Sequence, residues 1–373
     1  MIKFLNLLIP KNSRIIYLRS RYEYRDNIHS ILDELLKHPS SNKYKIICDG
    51  IAFDKYVSRK IRNPKKKIVL LYYFLRARFV IFDTGLYGQP QPIKRQILVN
   101  TWHGVSLKKI GYHIDGYNKN SKKRLATYLT AYSEYFVENM SIAFGVPRED
   151  VLVTGEPRND QFFQKKHGIA LKSLGFDKKN FEKTIIWMPT YRKHRLTKEA
   201  DGNVYNYGIP FISEIELLNQ LLIKKSILLI VKLHGLEETV QSSDLSNIKY
   251  ISSIKLGDAD TTVNELLVDC DALITDYSSV YINFLLLNKP ICFAYDDMDE
   301  YVKKRGFMFN DVKCMMPGLH ANNYNQLTEF IDDVALGIDS YKDERKRVNS
   351  FLNKYSDGMN SLRLLQFLGL VDE

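Results

Sequence analysis

Short β-branched runs recur along the chain, with helix-spaced segments between them. Arg14–Leu18, Tyr44–Cys48, Phe79–Phe82 and Gln96–Asn100 have the length and branching of buried strands. Between the first two, Asn27 to Lys37 spaces its apolar residues as a helix does. That alternation predicts a parallel sheet. The interval from Ser121 to Phe144 reads as helix-rich, then a strand at Val151–Val153 runs into the turn Gly155-Glu-Pro-Arg-Asn, where a first lobe closes. Lys165 to Lys183 is lysine-rich without an apolar period, which suits a surface linker. Beyond it, strands at 184–188, 227–233, 272–275 and 290–293 alternate with helices near 212–224, 263–268 and 280–287, and helical segments finish the chain from Asn323. The pattern predicts an α/β protein of two Rossmann-like lobes facing a cleft, residues 1–175 and 176–373.

Length agrees, since 373 residues exceed what one hydrophobic core usually serves. An apolar content of 45% with 12% aromatics excludes a disordered chain. Cys48, Cys270, Cys292 and Cys314 form no CxxC pair, so buried free thiols and a reducing cytoplasm are expected. The longest apolar stretch, Ile68 to Phe82, is interrupted by Arg76 and Arg78 and falls below the ~18 residues of a membrane span. Membrane contact is therefore expected to be peripheral. Residues 117–132 mix lysines with Tyr and Leu, as an interfacial helix or an ordinary surface helix would. A net charge of +11 favours anionic partners, and charge alone does not choose among lipid headgroups, nucleic acid and phosphorylated substrates. No helix-turn-helix, RNP or zinc-finger pattern supports nucleic acid.

Ligands of open α/β sheets bind beyond the carboxyl ends of the strands, which gives weight to polar residues there. The strand ending at Asn100 runs into Thr101-Trp-His-Gly-Val-Ser-Leu-Lys-Lys, placing His103 and Gly104 at a tip with Lys108 close behind. His103 is a candidate general base. The strand ending at Thr275 runs into Asp276-Tyr-Ser-Ser and a helix, so Ser278 and Ser279 could seat a phosphate. Lys232 and His234 end another strand, and Thr190 and Arg192 a fourth, supplying cations for a pyrophosphate. Each has an ordinary counterpart: serines after a strand commonly cap a helix, and a single His or Arg is commonly structural. Four tips carrying phosphate-compatible groups are harder to assign to capping.

These segments resemble the CDP-glycerol glycerophosphotransferase family, which primes and polymerises teichoic acids and related capsules. Thr101–Gly111 is similar to its WHGTPLKKIG segment, Thr154–Asp160 to TGYPRND, Pro189–Arg192 to PTWR and Lys232–His234 to KLH. Thr275–Val280, Asn288-Lys-Pro-Ile, Tyr295–Tyr301 and Arg305-Gly-Phe continue the match in family order. Val105-Ser106, Glu156 and Gly235 depart from it; Glu156 stands where the family has an aromatic or small residue. The resemblance implies a GT-B-like fold, with the donor nucleotide in the C-terminal lobe and the acceptor reaching the N-terminal lobe. It implies cytoplasmic, peripheral attachment to the inner membrane face and an undecaprenyl-diphosphate-linked acceptor.

The reaction so implied moves glycerol phosphate or ribitol phosphate from CDP-glycerol or CDP-ribitol to an acceptor hydroxyl, releasing CMP. His103 accepts the proton, with His234 as a second catalytic candidate. Thr190, Arg192, Lys232, His234, Asp276, Ser278, Ser279 and Glu300 bind the donor. Gly104, Lys108, Arg158 and Asn159 support the acceptor or its loop. No cofactor or protein-held metal is expected, since Asp296–Glu300 lacks EF-hand spacing, though a divalent cation can ride on the donor phosphates. A GT-B glycosyltransferase using a UDP- or GDP-sugar is the alternative. A non-enzymatic basic nucleic-acid-binding protein ranks below both.

Overall fold

The computed structural model describes residues 2–20, 26–50, 61–62, 64, 66–84, 93–105, 107–114, 124, 126–164, 168–190, 210–211, 215–232 and 245–372. The chain divides into two compact units. Unit 1 comprises residues 1–105, 110–164 and 352–373, and unit 2 comprises 106–109 and 165–351.

In unit 1 the order is α1 (Ile2–Leu8), β1 (Asn12–Arg19), α2 (Asn27–Lys37), β2 (Lys45–Asp49), β3 (Ile61–Arg62), α3 (Lys67–Arg76), β4 (Ala77–Phe82), β5 (Ile97–Asn100), β6 (Tyr128–Ala131), α4 (Glu134–Phe144) and β7 (Val151–Val153). The seven strands form a parallel sheet ordered β3-β2-β1-β4-β5-β6-β7. Strand interiors such as Ile16–Leu18, Ile46–Cys48 and Val80–Phe82 are buried, as a sheet covered on both faces requires.

Unit 2 contains α5 (Ile169–Ser173), β8 (Lys183–Met188), α6 (Ile215–Lys224), β9 (Ile227–Val231), β10 (Ile248–Tyr250), α7 (Ser253–Asp258), α8 (Val263–Asp269), β11 (Ala272–Thr275), α9 (Val280–Phe284), β12 (Ile291–Ala294), α10 (Met298–Lys304), β13 (Leu319–Ala321), α11 (Tyr324–Leu336) and most of α12 (Lys342–Leu352). Its parallel sheet runs β10-β9-β8-β11-β12-β13. Both sheets have the doubly wound order, in which winding reverses between the first and fourth strands of the sheet. The switch points therefore lie between β1 and β4 and between β8 and β11.

Several elements differ from the sequence expectation. The interval from 121 to 144 holds β6 as well as α4, because Leu129, Thr130 and Ala131 are buried between β5 and β7. Residues 128–131 thus belong to no interfacial helix; residues 115–123 and 125 lie outside the described residues. The stretch expected as a bare linker contains α5, whose Ala170 and Leu171 are buried and whose Gly168 and Leu171 amides donate to the Asp269 carboxylate. Cys314 is exposed, while the other three cysteines are buried.

The last helix, α13 (Asn360–Phe367), was expected in the second lobe and instead belongs to unit 1. Leu364, Leu365, Leu368 and Leu370 join Ile28, Ile31, Leu32 and Leu35 of α2 in one core. The Asn360 and Ser361 amides at the head of α13 each donate to Asp160, at 2.8 Å. Those amides have no partner inside the helix, so a distant carboxylate satisfies them.

Candidate active site

In unit 1 the His103 loop leaves the tip of β5. Asn100 Oδ1 accepts from the Trp102 amide at 2.9 Å, turning the chain at once. Trp102 has φ 53° and Gly104 φ 114°. A left-handed tryptophan is sterically costly and needs anchors to hold it. Asn27 Nδ2 supplies one, donating to the Trp102 carbonyl at 3.0 Å. Arg158 Nη2 supplies the next, donating to the His103 carbonyl at 3.1 Å.

The imidazole is half-buried, its centroid 3.9 Å from that of Trp102. His103 Nδ1 lies 3.2 Å from the Asp83 carbonyl, beyond β4. A carbonyl only accepts, so Nδ1 is the donor, and in the neutral form of the ring the lone pair lies on Nε2. Asp83 sits at the switch point, where its carboxylate accepts from Ser20 Oγ beyond β1.

Behind the loop lies a buried charged cluster. Arg158 Nη1 donates to Asp26 Oδ1 at 3.0 Å, and Arg158 Nε lies 3.0 Å from Glu156 Oε1. Asn27 Nδ2 also donates to Glu156 Oε1, at 2.9 Å, and Asn27 Oδ1 accepts from the Arg158 amide at 3.1 Å. Burial pushes the Glu156 carboxyl up to about 7 against the pull of Arg158, and Asp26 adds to the rise. Burial opposes the charge of Arg158, and Asp26 and Glu156 more than offset it, so its pKa rises. Gly155 has φ 79°, and a Cβ there would lie 2.2 Å from Asn360 Oδ1, which explains a glycine before the buried acid. Asn159 is buried, its amide donating to the Glu156 carbonyl at 2.9 Å.

Unit 2 builds its tip differently. Asp276, just past β11, accepts from the Thr190 amide at 2.9 and 3.0 Å, from Thr190 Oγ1 at 2.6 Å and from the Ser278 amide at 3.1 Å. One carboxylate thus joins the two strand tips flanking the switch point. Ser278 and Ser279 are half-buried at the entry to α9. Between them and Asp276, Tyr277 stacks on Tyr301 with centroids 4.3 Å apart and donates from its hydroxyl to Asp297 at 3.1 Å. Lys232, past β9, is buried, and its Nζ donates to Ser253 Oγ at 3.0 Å.

The other expected residues are placed as follows. Lys108 belongs to unit 2, bridging Phe307 in antiparallel fashion. Glu300 lies on α10 and pairs with Lys304 at 2.7 Å. Arg192 and His234 lie outside the described residues. Thr190, Asp276 and Ser278 are brought together in unit 2, and His103 and Arg158 in unit 1. Asp26, Asn27 and Asp83 had no assigned role: Asp26-Asn27 opens a helix and so reads as an N-cap. Among the described residues, no three His, Cys, Asp or Glu side chains are grouped to hold a metal.

Unit 2 thus carries a carboxylate junction at its switch point, and unit 1 carries an oriented imidazole. The family model for CDP-Glycerol:Poly(glycerophosphate) glycerophosphotransferase matches residues 1–369. The chain belongs to this family. Among glycerophosphotransferase relatives, the teichoic acid glycerol-phosphate transferase of Staphylococcus aureus is 27% identical over 95% of this chain and 92% of its own length. The teichoic acid glycerol-phosphate primase of Bacillus subtilis is 29% identical over 92% of this chain and 89% of its own. The poly(ribitol-phosphate) polymerase of Bacillus spizizenii is 28% identical, but only 55% of it is covered. The wall teichoic acid polymerase TagF superposes with a TM-score of 0.76 at 21% identity, over 96% of this chain and 89% of that one. The two parallel α/β lobes are thus those of a GT-B-like transferase.

Proposed function

We propose that this glycerophosphotransferase moves glycerol phosphate or ribitol phosphate from its CDP-activated form to a hydroxyl of a membrane-linked, undecaprenyl-diphosphate-borne acceptor. The observation that carries the reading is the Asp276 junction, which fixes Thr190 and Ser278 at the switch point of unit 2. The Ser278 and Ser279 hydroxyls, held beside that junction at the entry to α9, favour an anionic ligand. The acceptor oxygen attacks the phosphorus nearest the alcohol, the bond to the bridging oxygen breaks, and CMP leaves with the bonding pair. The acceptor proton passes to His103 Nε2, held ready by the Nδ1 contact to Asp83. Ser278, Ser279, Thr190, Lys232, Arg192 and His234 bind the pyrophosphate and offset charge on the departing CMP. Glu300 contacts the donor's ribose or alcohol, and Lys108 the acceptor.

The test is CMP release and product mass with CDP-glycerol, CDP-ribitol and a UDP-sugar, each with a lipid-linked acceptor. Products heavier by one alditol phosphate support the reading, and hexose-bearing products overturn it in favour of a glycosyltransferase. The chemistry needs no cofactor, and turnover in EDTA tests whether a divalent cation on the donor contributes.

Among the described residues, no helix is long and apolar enough to cross a membrane. Peripheral attachment is favoured by Phe4, Leu5, Leu7 and Leu8 of α1, all exposed, and by exposed Ile68 and Tyr72 of α3 behind Lys66 and Lys67. Apolar side chains beside lysines suit an anionic bilayer surface. Phe4→Ser/Leu8→Ser should reduce flotation with anionic liposomes at low salt; unchanged flotation places the contact elsewhere.

A further inference from the structure

Glu156 is fully enclosed beside a guanidinium that already has a carboxylate partner. Asp26 and Glu156 face Arg158 from two sides, each at 3.0 Å. Among the described residues, two largely buried carboxylates thus share one cation. Two carboxylates close together in a low-dielectric site favour uptake of a proton by one of them.

We propose that Glu156 is a positioning residue whose protonation sets how firmly Arg158 and Asn27 hold the His103 loop. Among the described residues, the groups facing it are Arg158 on its own segment, Asp26 and Asn27 at the head of α2, and Tyr132 beyond β6. The Asn360 amide donates to its backbone carbonyl at 3.0 Å. Burial keeps the Tyr132 hydroxyl protonated, its pKa raised well above the ordinary value. Asp26 caps α2, accepting from the Asn27 amide. Glu156 is the more enclosed acid, and its carboxyl, raised to about 7, takes the proton.

Ionised, Glu156 Oε1 accepts from Asn27 Nδ2 and attracts Arg158 Nε. The same two side chains donate to the Trp102 and His103 carbonyls. Protonation weakens both attractions and leaves Arg158 to Asp26. The Trp102–His103 segment, already strained at φ 53°, then loses its tension from behind. Turnover therefore falls as pH drops through neutrality for a reason additional to protonation of the imidazole. This inference rests on His103 being the base, as proposed above.

The experiment compares the full-length wild type with Glu156→Gln and Asp26→Asn, the latter keeping a competent helix cap. Between about pH 5.5 and 9, kcat and KM are measured by CMP release. At the alkaline end Glu156→Gln should lower kcat about tenfold, as misplaced catalytic groups do, with KM for CDP-glycerol within about twofold. The wild-type advantage should shrink toward unity at the acid end. Asp26→Asn removes the neighbouring carboxylate charge that raises Glu156 and should move the acid limb to lower pH. A wild-type to Glu156→Gln ratio that is constant with pH, or unchanged kcat, overturns the proposal. The His103 Cε1–Hε1 NMR signal gives a readout that needs no turnover. Wild type should show a second inflection near neutrality that Glu156→Gln lacks, whereas identical single titrations overturn the proposal. A chain inactive with both CDP-alcohols but showing that second inflection would instead fail the functional reading.

Discussion

The two strand-tip sites solve the same problem with different materials. In unit 1 the His103 loop is braced by buried full charges, with Arg158 between Asp26 and Glu156. In unit 2 the Asp276 junction uses one carboxylate and uncharged donors, the Thr190 amide and hydroxyl and the Ser278 amide. Charged bracing is strong only while every partner keeps its charge, so it ties geometry to pH and breaks badly when one member is removed. The Asp276 junction instead sets one carboxylate among uncharged donors that it engages itself. The His103 loop is braced by ion pairs, and the Ser278 loop by hydrogen bonds to one carboxylate.

The largest effect expected from breaking this division is on the base itself. His103→Ala should reduce CMP release ~10²–10⁴-fold, the usual contribution of a general base, without weakening donor binding measured by calorimetry. A rate within a few-fold of wild type would remove His103 from the chemistry. Next comes the brace: Arg158→Ala leaves two buried carboxylates without their cation and should destabilise the protein by ~3–5 kcal/mol in denaturant unfolding. Stability unchanged to within ~1 kcal/mol would mean that the cluster is solvated in solution. On the binding side, Ser278→Ala and Ser279→Ala should each weaken donor affinity by ~1.5–3 kcal/mol, the worth of a hydrogen bond to a charged group. These losses should not change with pH, in contrast to those at Glu156.

Legibility follows the same division. The sheets were readable because parallel strands buried on both faces are short apolar runs, and β1, β2, β4, β5, β8, β9, β11 and β12 all stand out in that way. Strand tips were readable because polar residues there follow such runs directly. β6 was not, since Tyr128-Leu-Thr-Ala sits among residues of good helical propensity and only its burial between β5 and β7 makes it a strand. Nor was the return of α13 to unit 1, which depends on its leucines meeting those of α2 from the far end of the chain. Asp26 and Asn27 look like a cap and are one, but their second role appears only when Glu156 and Arg158 come beside them. Glu156 was visible only as a departure from the family pattern, without the burial that gives the departure meaning.

The smallest effect expected is a tilt in stability with pH. Burial raises the Asp160 carboxyl to about 6 although the Ser361 and Asn360 amides donate to it, and raises Glu156 to about 7. Both groups hold their proton more tightly folded than unfolded, so protonation favours the folded state. That contribution is fully present below their ordinary values near 4 and is lost as pH rises through about 6 for Asp160 and about 7 for Glu156. The melting temperature should therefore decline by a few degrees between mildly acid and mildly alkaline buffer, the scale on which ~1 kcal/mol appears in a chain of this size. Asp160→Asn keeps an oxygen for the head of α13 and cannot titrate, so it should remove the part of the slope centred near 6 and leave the part near 7. Glu156→Gln should do the reverse.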